Sequence, residues 1–239
     1  MKSNFKITKA FRIIIVFTLF TVSLSIAQDC TDVSFMKKGA ILEYTDYNKR
    51  GKPESTTVHE TIEVSEDGSL VNAIIKATVV NTKDKKTFDT QYNVGCNNGL
   101  FSVDMIRFFD FNKLSEYNEK ENLKFKIDGD VLEFPNGMKT GDHLDDGNIT
   151  IKLNSNGFTL VTMAFNVFNR KIVGEEQITT PAGTFMCQKV TFDFDSKFGI
   201  INVKGSGVEW YYNNAMVVKS ESYNKRGKLI GYHEITKVQ

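Results

Sequence analysis

Three histidines come first, because at neutral pH histidine is the side chain that most readily exchanges a proton or ligates a metal. His59 and His233 each precede a glutamate, and His143 stands alone before "LDDGN". On a strand the two members of a His-Glu pair project to opposite faces, so neither pair is an acid/base couple by itself. No two histidines have the spacing of a zinc-protease helix, and the chain has neither a nucleophile elbow nor a phosphate-binding glycine loop. "DDGN" at Asp145–Asn148 offers calcium-ligand residue types without the spaced series and distal glutamate of an EF-hand loop, and it reads as a turn. Glu175 and Glu176 are adjacent, so on a strand they diverge rather than face one another across a substrate. No catalytic, metal-binding or cofactor-binding set is assigned. A non-enzymatic role is expected, with a hydrolase whose residues come together only in three dimensions as the least favoured alternative.

The elements that would have to position such residues are strands. Val58, Ile62 and Val64 alternate with His59, Thr61 and Glu63, and Val71, Ala73, Ile75, Ala77 and Val79 alternate with a more polar set. Val161, Met163, Phe165 and Val167 repeat the pattern, as do Val190, Phe192 and Phe194 opposite Lys189, Thr191 and Asp193. A period of two marks strands with one buried face. Turn sequences such as "EDGS", "NTKDKK" and "NSNG" separate them. Short turns join antiparallel neighbours, and a long sheet with one apolar face curls on itself. The predicted fold is therefore all-β, an antiparallel meander closed into a barrel or half-open barrel. One stretch, Val103–Glu119, loses the alternation and places Met105, Phe108, Phe109 and Leu114 near helical spacing. It predicts a short helical or irregular segment near 103–119 that plugs one mouth.

Strand parity then distributes the remaining reactive and charged residues. Cys30, before the first rising strand, and Cys96, ending the fourth, come to the same end and are the candidate disulfide; the two pairings with Cys187 stay open. Cys187, within "TFMCQKVTFDF", reads as a small buried hydrophobe. The hexapeptide "YNKRGK" occurs at 47–52 and again at 223–228, with different flanks. Asn at the first turn position and Gly at the fourth suit a type I turn with a G1 bulge, so it predicts a hairpin tip used twice rather than a duplicated domain. The tips at 48–52 and 81–86 fall at one end, making Lys49, Arg50, Lys52, Lys83, Lys85 and Lys86 a candidate basic rim that could touch anionic lipid headgroups. Trp210, the only tryptophan, shares a strand face with Val208 and Tyr212, opposite Glu209 and Tyr211. These three are the candidate ligand-facing residues of the inner wall.

The N-terminus has a basic start (Lys2, Lys6, Lys9, Arg12), an apolar stretch from Ile13 to Leu24, and the small-residue site Ser25-Ile26-Ala27. This predicts a signal peptide over 1–27 and one β-rich domain over 28–239, exported to the periplasm or cell exterior and soluble after cleavage. No second apolar run reaches membrane-spanning length, so no transmembrane segment is expected in the mature chain. Removing residues 1–27 leaves 26 basic and 29 acidic residues, a net charge of −3, which disfavours nucleic acid as a partner.

The stretch "NRKIVGEEQITTPAGTFMCQKVTF" at 169–192 resembles the TapB family of exported bacterial proteins, whose domain is similar to domain of unknown function 3108. "FSVDM", "LEFPNGMKTGDHLDDGNIT" and "VEWYYNNAMVVKSESYNKRGKLIGYHEIT" carry the resemblance across the mature chain, with "NNAMVVKSE" standing where the family reads closer to "GVGMVKSE". The resemblance implies an exported β-rich domain and no established activity, and it transfers no catalytic residue. Two partner classes are expected: a lipid-like, apolar or amphipathic ligand inside the curled sheet, or another envelope protein paired to a sheet edge by a structural or assembly factor.

Overall fold

The structure is a computed structural model that describes Cys30, residues 33–108 and residues 123–239. The expected signal segment lies outside the described residues. Among the described residues every regular element is a strand except one 3-10 turn, Met105–Phe108. In chain order the strands are β1 Ile41–Asn48, β2 Pro53–Asp67, β3 Leu70–Asn81, β4 Thr87–Asn97, β5 Leu100–Asp104, β6 Leu123–Gly129 and β7 Val131–Phe134. They continue as β8 Gly147–Ser155, β9 Phe158–Thr180, β10 Gly183–Phe198, β11 Ile201–Tyr212, β12 Met216–Asn224 and β13 Leu229–Val238.

All thirteen belong to one antiparallel sheet in the order β6-β8-β9-β10-β11-β12-β13-β1-β2-β3-β4-β5-β7. From β1 to β5 and from β8 to β13, neighbours in sequence are neighbours in the sheet, as short turns require. The first and last strands meet where β1 pairs with β13, Ile41 and Gln239 exchanging backbone hydrogen bonds of 2.9 Å. The two edges of the sheet, β6 and β7, are consecutive in sequence with only Asp130 between them. One segment thus runs down the wall, pairing first with β8 and then with β5. Asp130 accepts from Met105 N at the end of β5 and donates to Asn148 O at the start of β8. The result is a nearly closed barrel with one incompletely sealed seam, as the alternation predicts.

The end of the barrel carrying the β2–β3 and β4–β5 turns is plugged. Cys30, Val33, Phe35 and Met36 are buried there, Phe35 meets Phe101 edge to face, and Thr61 donates to Phe35 O. The loop between β7 and β8 adds Met138 and Leu144, held by buried Arg170, which donates to Asp145 O and lies 4.6 Å over the Phe134 ring. "DDGN" is therefore part of this clasp, with Asp146 accepting from Asn169 N. The plug at this end comes from the N-terminal segment, and the expected short helical element near 103–119 begins as the 3-10 turn. Residues 103–104 end β5, Met105–Phe108 form the 3-10 turn, and the rest of that stretch lies outside the described residues.

One reading is corrected, that of parity in β2. The register of β2 on β3 skips Ile62, so Thr61 and Val64 both reach the core side while Val58 and Ile62 stand on the other face. A single inserted residue exchanges the faces of a strand on either side of it.

Cys30 and Cys96 form the expected disulfide, closing a 66-residue separation, and Cys187 is free and buried. Chain-entropy arguments assign a loop of that length about 4 kcal/mol. The two hexapeptides are superimposable in their bonding. Asn48 Oδ1 accepts from Arg50 N and Lys52 N, and Asn224 Oδ1 accepts from Arg226 N and Lys228 N. Gly51 and Gly227 take φ of +72° and +70°. Remote in sequence, they are adjacent tips, because β13 and β1 are paired.

A Cβ at Gly227 would meet nothing within 4 Å, so only the backbone penalises substitution there. Gly227→Val is expected to lower stability in denaturant melts by about 1–2 kcal/mol, the cost of a left-handed L-residue. Lys225→Ser/Arg226→Ser should stay within about 0.5 kcal/mol per site.

Candidate functional site

Among the described residues the barrel encloses a cavity of about 1200 Å³, open at the end opposite the plug. Its upper walls come from Asn48, Ser55, Asn81, Ser196, Ser222 and Ile230, and its deeper walls include Ile75, Val94, Phe101 and Val103. The inner faces of β10 and β11 fit because large residues meet small ones. Phe192 pairs with Gly207 and Phe194 with Gly205, and a Cβ on either glycine would fall within 2.5 Å of the opposing ring.

Polar residues are set within this apolar wall. Arg107, on the 3-10 turn, donates through Nη2 to Glu209 Oε2 (3.3 Å) and to the Tyr211 hydroxyl (2.9 Å). Tyr211 in turn donates to Glu209. Glu209 and Tyr211 are two apart on β11 and so share its inner face. Burial works against the charge on Arg107, but the facing Tyr211 and Glu209 outweigh it and the net shift of its pKa is upward. Burial raises the pKa of Tyr211. The cluster is a neutralised ion pair with an aromatic hydroxyl, as burial of two charges demands.

Beside it lies an aromatic group. Tyr44 on β1 is edge to face with His59 of β2 (5.3 Å) and His233 of β13 (5.6 Å), and its hydroxyl donates to Val217 O. The Tyr92 hydroxyl and His59 Nδ1 share a hydrogen bond of 3.0 Å. Burial, then His233 and Arg107, depress the His59 pKa to about 3, so the ring is neutral at physiological pH. His233 Nδ1 is 3.7 Å from Asp46 Oδ1, beyond hydrogen-bond length. Among the described residues no serine or cysteine hydroxyl or thiol is bonded to a histidine, and no group of His, Cys, Asp and Glu could hold a metal ion. The arrangement can hydrogen-bond a polar group of a bound molecule deep in an apolar chamber. It does not assemble a nucleophile with its base.

Of the sequence-predicted residues, Trp210 lies on the outer face of β11. Its Nε1 donates to Glu176 Oε2 (2.9 Å), and the ammonium groups of Lys189 and Lys219 lie 5.1 and 5.3 Å from its ring centroid. Val208 and Tyr212 share its parity, and none of the three lines the cavity, whereas Glu209 does. Apolar content chose the wrong face because the inner face here carries Gly205, Gly207 and Glu209. Phe185 packs edge to face on Tyr212, and burial pushes the Cys187 thiol up to about 12. The basic-rim residues do gather at one end: Lys49, Arg50 and Lys52 lie on one exposed tip, and Lys83, Lys85 and Lys86 on the β3–β4 tip. Lys52 and Lys83 reach the cavity mouth.

Arg107 and Glu209 were not singled out by the sequence, being 102 residues apart. One signal was present: "GSGVEW" places a charge in line with two glycines on a strand otherwise rich in apolar residues.

The family model for the DUF3108-like domain matches residues 37–235, so the chain belongs to the DUF3108-like family. A crystal structure from Bacteroides fragilis, described as an exported protein with a YmcC-like fold, is 26% identical with a TM-score of 0.70, covering 85% of this chain and 96% of that one. A structure from Parabacteroides distasonis, described as a lipoprotein, is 22% identical with a TM-score of 0.69, covering 87% and 100%. No curated protein matches the chain.

Removing one member of the buried pair should be costly. Arg107→Leu is expected to lose about 3 kcal/mol, the lower end for a stranded buried charge because Glu209 lines the cavity rather than a packed core, and Arg107→Leu/Glu209→Leu should recover part of it in a double-mutant cycle. For His59 the folded pKa lies below the unfolded value, so between about 6.5 and about 3 the unfolded chain binds the extra proton. Stability should therefore fall as pH drops through that window, and urea melts of His59→Gln should show a shallower fall.

Proposed function

We propose that the protein is exported with residues 1–27 removed, and that its barrel is a non-enzymatic container for a lipid-like ligand with an apolar body and a polar group. The observation that carries this reading is the cavity, whose volume of about 1200 Å³ lies just above the ~300–1,000 Å³ usual for small-molecule sites. The apolar walls would hold the chain, while His59, Tyr92, Tyr44 and the Arg107–Glu209 pair would bond the polar group. The export reading is supported by the N-terminal sequence and by the Bacteroides fragilis relative described as exported. The narrower TapB kinship is compatible with it.

The assembly-factor reading draws less support. It needs a long unpaired edge, and the two edge strands have seven and four residues and meet at Asp130.

Delipidated protein titrated with fatty acids, phospholipids and isoprenoid lipids is expected to show a saturable rise in melting temperature for at least one class. Ser222→Phe, which narrows the chamber, should weaken that binding about tenfold or more, the size of effect expected when shape-matched apolar contact is lost. Trp210 lies outside the cavity, so its emission should stay unchanged during the titration. Absence of any thermal shift across the panel would overturn the reading.

A further inference from the structure

Among the described residues five hairpin tips surround the open mouth, and their order around the rim follows from the sheet: β8–β9, β10–β11, β12–β13, β1–β2, β3–β4. The first two are apolar. Ile200 at the β10–β11 tip is fully exposed, and Phe158 at the β8–β9 tip is 75% exposed, with Leu160 and Ile201 also in solvent. The other three are basic. Lys225, Arg226 and Lys228 of the β12–β13 tip join the two basic tips already described, giving nine cationic side chains against two acidic ones, Glu54 and Asp84. None of the nine enters a salt bridge with another described residue. The charge is local, since the whole chain has a net charge of only +1.

We propose that this mouth docks on a membrane surface rich in anionic phospholipid. Exposed Phe, Ile and Leu beside a Lys/Arg cluster is the composition of surfaces that sit in the headgroup layer, the apolar groups entering the acyl boundary and the cations meeting phosphates. Exposed apolar tips this prominent are otherwise a liability for solubility. A second copy of the chain fits the rim poorly. Mouth to mouth, it would set basic tips against basic or against apolar tips and leave the charges without counter-charges. A membrane supplies both chemistries in one plane, and the docked mouth would open directly onto lipid. The proposal adds a docking surface to the container reading, and its test does not rely on the cavity being filled.

The test is flotation of purified protein with phosphatidylcholine vesicles, with and without phosphatidylglycerol. Binding is expected only with phosphatidylglycerol and should weaken as salt is raised. Lys49→Ser/Arg50→Ser/Lys225→Ser/Arg226→Ser should weaken it about tenfold or more, given the contribution of each cation near an anionic surface. Phe158→Ser/Ile200→Ser should leave a weaker, more salt-sensitive association. Lys37→Ser/Lys38→Ser, exposed at the plugged end, should bind as the parent does. No binding to phosphatidylglycerol vesicles, or equal losses from both ends, would overturn the proposal. So would self-association in solution that Phe158→Ser/Ile200→Ser abolishes, in the absence of vesicle binding. A thermal shift with lipid but no flotation would sink the docking surface and leave the container reading standing; flotation without thermal shift would do the reverse.

Discussion

A curled sheet has two edges, and every other feature of this protein depends on how those edges are satisfied. Unpaired backbone groups at an edge are both an energetic cost and an invitation to aggregate. Here a single chain segment serves both edges, pairing with β8 above Asp130 and with β5 below it. The change of partner occurs at one residue, whose amide and carbonyl each reach a different neighbour and whose carboxylate accepts from Asn148 N. Without that transfer β5 and β8 would face each other unbridged, and the seam of the barrel would stand open.

Within that space the polar groups carry no net charge. Arg107 and Glu209 cancel, and His59 is neutral because it is buried next to two other cationic or protonatable side chains. A chamber of this size with an unpaired charge would be expensive to keep dry, whereas a paired one tolerates an apolar occupant and still offers donors and acceptors. The pairing of ring with glycine along β10 and β11 sets how close the walls come, so capacity is determined by Phe192 and Phe194 as much as by strand number.

Much of this was legible in the residues. The alternation in β3, β9 and β10 identified the inner faces, strand parity brought Cys30 to Cys96, and the Asn-Lys-Arg-Gly turns matched in bonding detail. The site was less legible, for physical reasons. The inner face of a container is more polar, and holds smaller residues, than a packed core, so a search for apolar parity selected Trp210 over Glu209. A skipped residue at Ile62 reversed β2, hiding His59 on what looked like the solvent side. The Arg107 contact depends on a 3-10 turn that meets β11 across the barrel, a closeness that no local pattern encodes. The turn between β11 and β12 is made by Asn213 and Asn214, which both adopt positive φ, of 49° and 57°, a conformation asparagine tolerates better than most side chains.

The pairing of β1 with β13 has a temporal meaning. A chain that emerges from its N-terminus can assemble β1 to β5 early, and the partners needed for the Cys30–Cys96 bond are both within its first 96 residues. The N-terminal part of the plug lies wholly within the segment that this bond closes. The last ten strand residues must then arrive before β1 gains its second neighbour, a contact that spans nearly the whole described chain. Contacts of such sequence separation are the slow step in β folding. In the finished fold the last strand is the latch, joining the wall that begins at β1 to the wall that ends at β12.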